Sequence, residues 1–173
     1  MLSYEEALDQ LLQQTKTLGT ETVPLQDANN RILATTIFAE LDHPPFPQSA
    51  MDGFAISEPT ETLKFSIQGT TYAGDGLPPP LEPGHAHKVA TGGPIPVNSF
   101  AVIPVEEADV KGPSLSLMAA PDKGRWIRER GMDISQGEPL IAGRTKLSAG
   151  CLSNLAQQGI QEVETFKNPT VGI

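Results

Sequence analysis

The stretch LDHPPFPQ, residues 41–48, constrains the fold of this chain more than any other segment. Each of its three prolines lacks a backbone N–H and has a fixed φ angle, so neither a regular helix nor a central strand can pass through it. A stiff, extended connector satisfies these restrictions. The segment therefore predicts a boundary between two domains.

Short apolar runs follow this connector, and turn residues separate them, from Ala50 to about Trp126. The runs are DGFAI, LKFSIQGTTYAG, HKVATG, FAVIPVEEADV and SLSLMAA. Runs of this kind are typical of strands, and the 16 glycines and 16 prolines of the chain supply many tight connections. The pattern favours a small β-rich barrel or sandwich.

Near the N-terminus, Ser3 and Glu6 form a capping box, which predicts a helix. Apolar residues then recur at helical spacing, in the order Tyr4, Ala7, Leu8, Leu11 and Leu12. Gly19 is predicted to end this helix. Such a stripe predicts packing in a core or an interface.

A second helix is predicted in LSAGCLSNLAQQGI, with Ser148 as its N-cap and Gly159 as its end. Its apolar face would carry Leu152, Leu155 and Ala156. The strand QEVETF follows, and the chain ends on NPTVGI, which is typical of the start of a further apolar strand. We therefore expect a C-terminal element beyond this chain.

The formal net charge of −9 argues against a general nucleic-acid binder, although a local basic pocket for a small anion stays compatible with it. Cys151 is the only cysteine, so an intrachain disulfide and a cysteine-held zinc are excluded. The N-terminus does not resemble a signal peptide, and no apolar run reaches the roughly 18 residues of a membrane span. We expect a soluble cytoplasmic protein without nucleic-acid or membrane partners.

Residues 49–55 read SAMDGFA and leave two roles open for Asp52. An Asp-Gly pair is typical of a hairpin turn, in which Gly53 supplies the backbone freedom. A carboxylate held between Pro47 and Gly53 would also have little freedom, and such rigidity suits a metal or oxyanion site.

ATGGPIP contains a second candidate site. Thr91 supplies a hydroxyl group, and Gly92 and Gly93 supply free backbone amides in a tight loop that could hold an anion. A plain turn at the end of a strand fits the same residues.

Glu106 and Glu107 resemble a carboxylate pair, but adjacent residues of a strand face opposite sides of a sheet. The two carboxylates would therefore not line one site. Glu107 is kept as the candidate site residue.

Lys123, Arg125, Arg128 and Arg130 form the only basic cluster in this acidic chain. Guanidinium groups bind phosphate and carboxylate oxygens through paired hydrogen bonds. Asp133 follows, and a carboxylate beside cations and an anion site is typical of a magnesium ion that bridges phosphates. A solvated, charge-balanced loop is the alternative.

His43, His85 and His87 lie among prolines and glycines and are predicted to be surface or structural residues. The HAH spacing is compatible with a metal, but no third ligand lies nearby in the sequence. No Ser-His-Asp or Cys-His arrangement is indicated.

In this order, PPFPQSAMDGFA, ATGGPIP, VIPVEEA and IRERGMDIS resemble the N-terminal part of the molybdopterin molybdenumtransferases, the MoeA family. The E domain of animal gephyrin belongs to the same family. The resemblance covers essentially the whole chain, and the Ser-Ala-Met-Asp-Gly block is highly specific.

The resemblance implies a role in molybdenum cofactor synthesis. Members of the family cleave adenylylated molybdopterin, release AMP and insert molybdate, with a divalent metal that is usually magnesium. It also implies a homodimer, here expected through the N-terminal helix and the mixed α/β domain, which binds a small anionic substrate.

Carried onto this sequence, the family's motifs imply that Asp52, Thr91 and Asp133 are catalytic. Asp52 and Asp133 are also the expected metal ligands. The expected substrate-binding residues are Gly92, Gly93, Glu107, Arg128 and Arg130.

The implied fold is α+β and β-rich, with a small β-barrel-like domain inserted into an elongated mixed α/β domain. Residues 1–41 and 134–170 would form the mixed domain and residues 42–133 the inserted one. Residues 171–173 would begin a molybdopterin-binding domain. Two alternatives stay open: a noncatalytic dimerisation or scaffold module, and a small β-barrel that binds an anionic ligand without turnover.

Overall fold

The chain passes twice between two units of structure. In the computed structural model, which describes residues 2–172, the chain up to Glu40 and from Gly137 onward forms one unit, and Leu41–Gln136 forms the other. The sequence predicts the two boundaries after residues 41 and 133. In the structure they follow residues 40 and 136, a difference of one residue and of three residues. We call the discontinuous part unit 1 and the continuous part unit 2.

Within residues 2–172, the structure contains two α-helices and twelve short strands. The helices are α1 Tyr4–Gln14 and α2 Ala149–Gln157. The strands, in chain order, are β1 Thr20–Pro24, β2 Ile37–Phe38, β3 Gln48–Ser49, β4 Gly53–Ile56, β5 Lys64–Thr71, β6 His85–Val89, β7 Ala101–Pro104, β8 Asp109–Lys111, β9 Ser114–Ser116, β10 Ile127–Arg128, β11 Pro139–Ile141 and β12 Glu162–Phe166. Strands predominate, which confirms the predicted α+β, β-rich class. In this described part of the chain, no helix is long and apolar enough to cross a membrane.

Unit 1 is closed by strands from its two separate segments. β1 pairs antiparallel with β12, starting with Thr20 opposite Phe166. As predicted, α2 begins after a Ser148 cap, and Gly159 follows it in a left-handed conformation with a φ of 78°. Ala156, predicted on the apolar face of α2, is exposed. The buried core consists of Val23, Ala28, Leu33, Ile141, Leu147, Leu155 and Val163.

Helix α1 begins where the sequence predicts and ends earlier. The Ser3 hydroxyl accepts from the Glu6 N–H, and the Glu6 carboxylate accepts from the Ser3 N–H, so both bonds of the capping box form. The helix ends at Gln14 with Thr15 as its C-cap, so the prediction of Gly19 as its end is wrong. No residue of α1 is buried, and the large side chains of its apolar stripe are exposed, namely Tyr4, Leu8, Leu11 and Leu12.

Unit 2 contains a six-stranded sheet with the strand order β7-β4-β6-β5-β9-β8. β5 and β6 run parallel, and the other neighbouring pairs of this sheet are antiparallel. The sheet curls into half a barrel, in agreement with the predicted barrel-like domain. Alternate residues of its strands enter two apolar clusters, one with Phe54, Ile56, Phe65, Ala86, Ala101, Ile103 and Leu115, the other with Ala55, Val89, Ile95 and Val102.

His87 on β6 is a structural residue of this sheet, one of the two roles predicted for it. Only 4% of its surface is exposed, and its Nε2 atom lies 2.6 Å from the hydroxyl oxygen of Thr71. Burial lowers the pKa of the His87 imidazole, which favours the neutral ring. Gly69 leaves room for the ring, because a Cβ there would lie 2.7 Å from the His87 Cε1 atom.

The segment NPTVGI does not begin a strand in the structure. Residues 168–172 have no regular structure, and Val171 is exposed. The prediction of an apolar strand is therefore wrong for these residues, and Ile173 lies outside the described residues.

Gly53 opens β4, and its role differs from the predicted one. Its φ angle lies outside the left-handed region, and β3 and β4 pair with other strands, so Asp52 and Gly53 do not form a hairpin turn. A Cβ on Gly53 would lie 2.0 Å from the carbonyl oxygen of Ile103 on β7. Glycine is therefore required here by the close approach of two backbones.

We expect Gly53→Ala to lower the free energy of unfolding by about 1–3 kcal/mol or more, because the added methyl group must displace the backbone of β7. Gly76→Ala is the matched control, since a Cβ at Gly76 meets no atom within 4 Å. Chemical denaturation of both variants measures the difference. Equal stabilities would contradict the close approach of β4 and β7.

Candidate functional site

Asp52 and Thr91 meet because β4 and β6 pair antiparallel. Gly53 lies opposite Val89 in this register, so the residue before β4 and the residues after β6 continue side by side. The backbone N–H of Thr91 donates to Asp52 Oδ1 over 2.7 Å, and the Thr91 hydroxyl donates to the same oxygen over 3.0 Å. The structure thus brings together two residues that the sequence names as catalytic.

The Asp52 carboxylate is ionised and held in place. The two hydrogen bonds from Thr91, the backbone bond first, lower the pKa of Asp52 below its ordinary value. The N–H of Val105 also donates to the backbone carbonyl of Asp52 over 3.1 Å. Among residues 2–172, no group donates to Asp52 Oδ2, so this oxygen can accept a hydrogen bond from a ligand.

The amides of the loop after β6 are used within the protein. Besides the bond from Thr91 to Asp52, Gly92 donates to the Ser49 carbonyl over 2.9 Å, and Gly93 donates over 2.9 Å to the carbonyl three residues earlier. The prediction that Gly92 and Gly93 offer free amides to an anion is therefore wrong. This loop instead holds a carboxylate of the protein itself.

A cavity of about 330 Å³ lies beside Asp52. It is lined by Asp52, Gly53, Thr70, Tyr72, Lys88, Val89, Ala90 and Val105. The sequence predicts none of Thr70, Tyr72 and Lys88 as site residues. A signal was present for two of them, because Thr70 and Tyr72 have the two-residue spacing that places side chains on one face of a strand.

Glu107 binds Arg125 within the protein. Two hydrogen bonds of 2.7 Å join the carboxylate to the guanidinium group, which lowers the pKa of Glu107 and raises that of Arg125. Glu107 lies in the 3₁₀ turn Val105–Glu107, so the predicted placement of Glu106 and Glu107 on a strand is wrong. The pair lines a different cavity, of about 300 Å³.

Asp133 pairs with Arg128, and Arg130 pairs with Asp42. The hydrogen bond from Arg128 lowers the pKa of Asp133, and His43 Nε2 lies 3.7 Å from Asp133 Oδ2. The two guanidinium groups expected to bind substrate are therefore each paired with a carboxylate of unit 2. Their assignment as substrate-binding groups stays a prediction.

The assignment of Asp52 and Asp133 as magnesium ligands stays a prediction. Within residues 2–172, no group of three His, Cys, Asp or Glu side chains could hold a metal, and the two carboxylates have separate partners. Mg²⁺ commonly takes one or two carboxylates together with water and phosphate oxygens. The guanidinium group of Arg128 beside Asp133 opposes a second cation, so we assign no step of the chemistry to a metal.

Two curated relatives of this chain carry the name molybdopterin molybdenumtransferase. The molybdopterin molybdenumtransferase of Synechococcus elongatus is 31% identical to it over 183 aligned residues, which cover 100% of this chain and 45% of that protein. The protein of the same name from Haemophilus influenzae is 30% identical, over 100% of this chain and 44% of that protein. The chain thus spans slightly less than half the length of these relatives.

Crystal structures of the MoeA molybdopterin biosynthesis protein from Pyrococcus horikoshii share the fold. One matches with a TM-score of 0.88 and 31% identity, over 95% of this chain and 46% of that chain. Another matches with a TM-score of 0.80 and 26% identity, over 98% of this chain and 45% of that chain. The family model of the MoeA N-terminal region, domains I and II, matches residues 2–159. The resemblance seen in the sequence is confirmed, and the chain belongs to the MoeA N-terminal family.

Proposed function

We propose that this chain is the N-terminal part of an enzyme of molybdenum cofactor biosynthesis, which inserts molybdate into adenylylated molybdopterin with release of AMP. The name shared by the relatives, molybdopterin molybdenumtransferase, supports an enzyme of this class. The observation that carries the proposal is the Asp52 carboxylate, which Thr91 holds ionised beside a cavity of about 330 Å³.

In this proposal, Asp52 holds and orients a hydrogen-bond donor of the substrate or a water molecule beside the reacting phosphate. Its Oδ1 atom is occupied by Thr91, which leaves Oδ2 to accept the bond or the proton. A carboxylate that is already fixed and ionised loses little freedom when the substrate binds. Preorganisation of this kind lowers the barrier of the chemical step.

Arg128 and Arg130 would bind the anionic substrate after an exchange of partners. Both guanidinium groups are exposed to solvent on one side, so a multiply charged anion can compete with Asp133 and Asp42 for them. In the absence of substrate, the ion pair with Asp133 holds the guanidinium group of Arg128 in place.

The exposed stripe of α1 supports a second proposal, the assembly of two copies of the protein. An amphipathic helix that buries no residue within its own chain is typical of an interface. We infer a homodimer through α1 and unit 1. If the complete protein lacked the activity, this assembly would remain as the noncatalytic module that is the alternative function. The cytoplasmic location and the magnesium requirement stay predictions.

Asp52→Asn in the complete protein that carries this chain is expected to lower the rate of molybdate insertion at least about 100-fold. The amide oxygen can still accept the bonds from Thr91, but the charge and the basicity are lost. Asp109→Asn is the matched control, because Asp109 is an exposed carboxylate that pairs with Lys111 on its own strand and lies outside this cavity. The assay measures molybdenum insertion into purified adenylylated molybdopterin. Full activity of Asp52→Asn would reject the catalytic role.

Thr91→Val is expected to raise the pKa of Asp52 towards its ordinary value. The variant loses one of the two hydrogen bonds that stabilise the carboxylate and keeps the backbone bond, so Asp52 is protonated at a higher pH than in the wild type. An NMR titration of the Asp52 carboxyl carbon measures this change. Thr91→Ser keeps the hydroxyl group and should keep the wild-type pKa. An identical titration of Thr91→Val would show that the hydroxyl bond is absent in solution.

Leu11→Glu is expected to convert a homodimer into a monomer, because it places a charge in the exposed apolar stripe of α1. Gln13→Glu adds the same charge on the opposite face of the helix and should leave the dimer intact. Sedimentation velocity of residues 1–173 and both variants gives the masses. A dimer that survives Leu11→Glu would exclude α1 from the interface.

A further inference from the structure

Lys88 is a cation without a partner, among the described residues, that lines the same cavity as Asp52. It lies on β6 with an exposed side chain and contributes to the lining of the cavity of about 330 Å³. In the described chain, residues 2–172, its ammonium group forms neither an ion pair nor a hydrogen bond. Its charge is therefore available to a ligand.

The arginines of unit 2 differ from Lys88 in this respect. All three are paired with carboxylates of the same unit, Arg125 with Glu107, Arg128 with Asp133 and Arg130 with Asp42. The chain carries 21 acidic and 12 basic residues, so carboxylates that could neutralise a lysine are abundant. Lys88 nevertheless has no carboxylate partner among the described residues.

The backbone of Lys88 is fixed on both sides. Lys88 lies opposite Phe54 of β4 and opposite Thr70 of β5, and β6 is an inner strand of the sheet. Only the side chain is left to move, within the reach of its four-carbon stem. A binding group on an inner strand is positioned more accurately than one on a loop.

The groups that line the cavity limit the chemistry of its ligand. Lys88 supplies a charged donor and Asp52 a charged acceptor, Thr70 and Tyr72 supply hydroxyl groups, and the remaining lining is mainly apolar. Small-molecule sites are mostly apolar with a few placed polar groups, and their volumes begin near roughly 300 Å³. A matching ligand carries an anionic group for Lys88 and a hydroxyl or ring N–H donor for Asp52.

We infer that Lys88 binds the phosphate of a phosphate ester while Asp52 accepts a hydrogen bond from a hydroxyl or ring N–H group of the same molecule. A lysine ammonium is a compact charge with three donors, which suits phosphate oxygens. The inference rests on the proposed function, since adenylylated molybdopterin carries phosphate esters, and it adds a residue that binds one of them.

Binding of AMP to residues 1–173 tests this assignment, with adenosine and inorganic phosphate as probes of its two halves. Titration of the ¹⁵N-labelled chain is expected to give saturable shifts at the backbone amides of Lys88 and Gly53. Inorganic phosphate should shift the Lys88 amide at higher concentration, and adenosine should give no saturable shift.

Lys88→Gln is expected to weaken AMP binding by about fivefold to tenfold, which corresponds to the loss of one hydrogen bond to a charged group at an exposed site. Lys88→Arg should retain binding, because it keeps the charge. Lys123→Gln is the matched control, since Lys123 is also exposed and unpaired but lies outside this cavity.

The assignment is overturned if Lys88→Gln binds AMP as the wild type does, if adenosine binds as well as AMP, or if no saturable shift occurs near Lys88. These results leave the proposed function intact, because that function is tested by the activity of Asp52→Asn. Conversely, an active Asp52→Asn enzyme with weakened AMP binding in Lys88→Gln would retain the phosphate site and reject the catalytic role.

Discussion

The candidate site depends on the close packing of β4 between β6 and β7. Gly53 allows the approach to β7, where a Cβ would lie 2.0 Å from the carbonyl oxygen of Ile103. On the other side, the register with β6 brings Thr91 within hydrogen-bond distance of Asp52. The two residues of the Asp-Gly pair therefore have separate structural roles at adjacent positions. The aspartate supplies the carboxylate, and the glycine allows the strand to lie where that carboxylate is held.

The sequence predicts well those structural features that depend on residues close together in the chain. The capping box of α1, the Ser148 cap of α2 and the strand runs of unit 2 all rest on contacts within a few positions. The partners of the charged groups could not be predicted in this way. Arg130 and Asp42 are 88 positions apart, and Arg125 and Glu107 are 18 apart, so their pairing follows from the tertiary fold.

The sequence does not predict the cavity, for a related physical reason. Its lining comes from β4, β5 and β6, from Asp52 just before β4, and from the segments that follow β5, β6 and β7. Residues of β5 and β6 become neighbours because the two strands pair with each other. The periodicity within one strand does not reveal which strand lies beside it, in which direction or in which register. Lys88 and Thr70 each carry an ordinary strand pattern in the sequence. Only their register, Thr70 opposite Lys88, shows that they belong to one site.

The pairing of β1 with β12 has a consequence for the order in which the chain can fold during synthesis. The Thr20 hydroxyl donates to the Glu164 carboxylate across 144 positions of sequence, and the strand pair that contains them closes unit 1. All six strands of the main sheet in unit 2 lie between Gly53 and Ser116, so the ribosome delivers them well before β12. Unit 2 can therefore complete its sheet while the first segment of unit 1 still lacks its partner. The pairing of β1 with β12 is therefore the late, long-range step. Once unit 2 has folded, less flexible chain separates the two strands, which lowers the entropic cost of bringing them together.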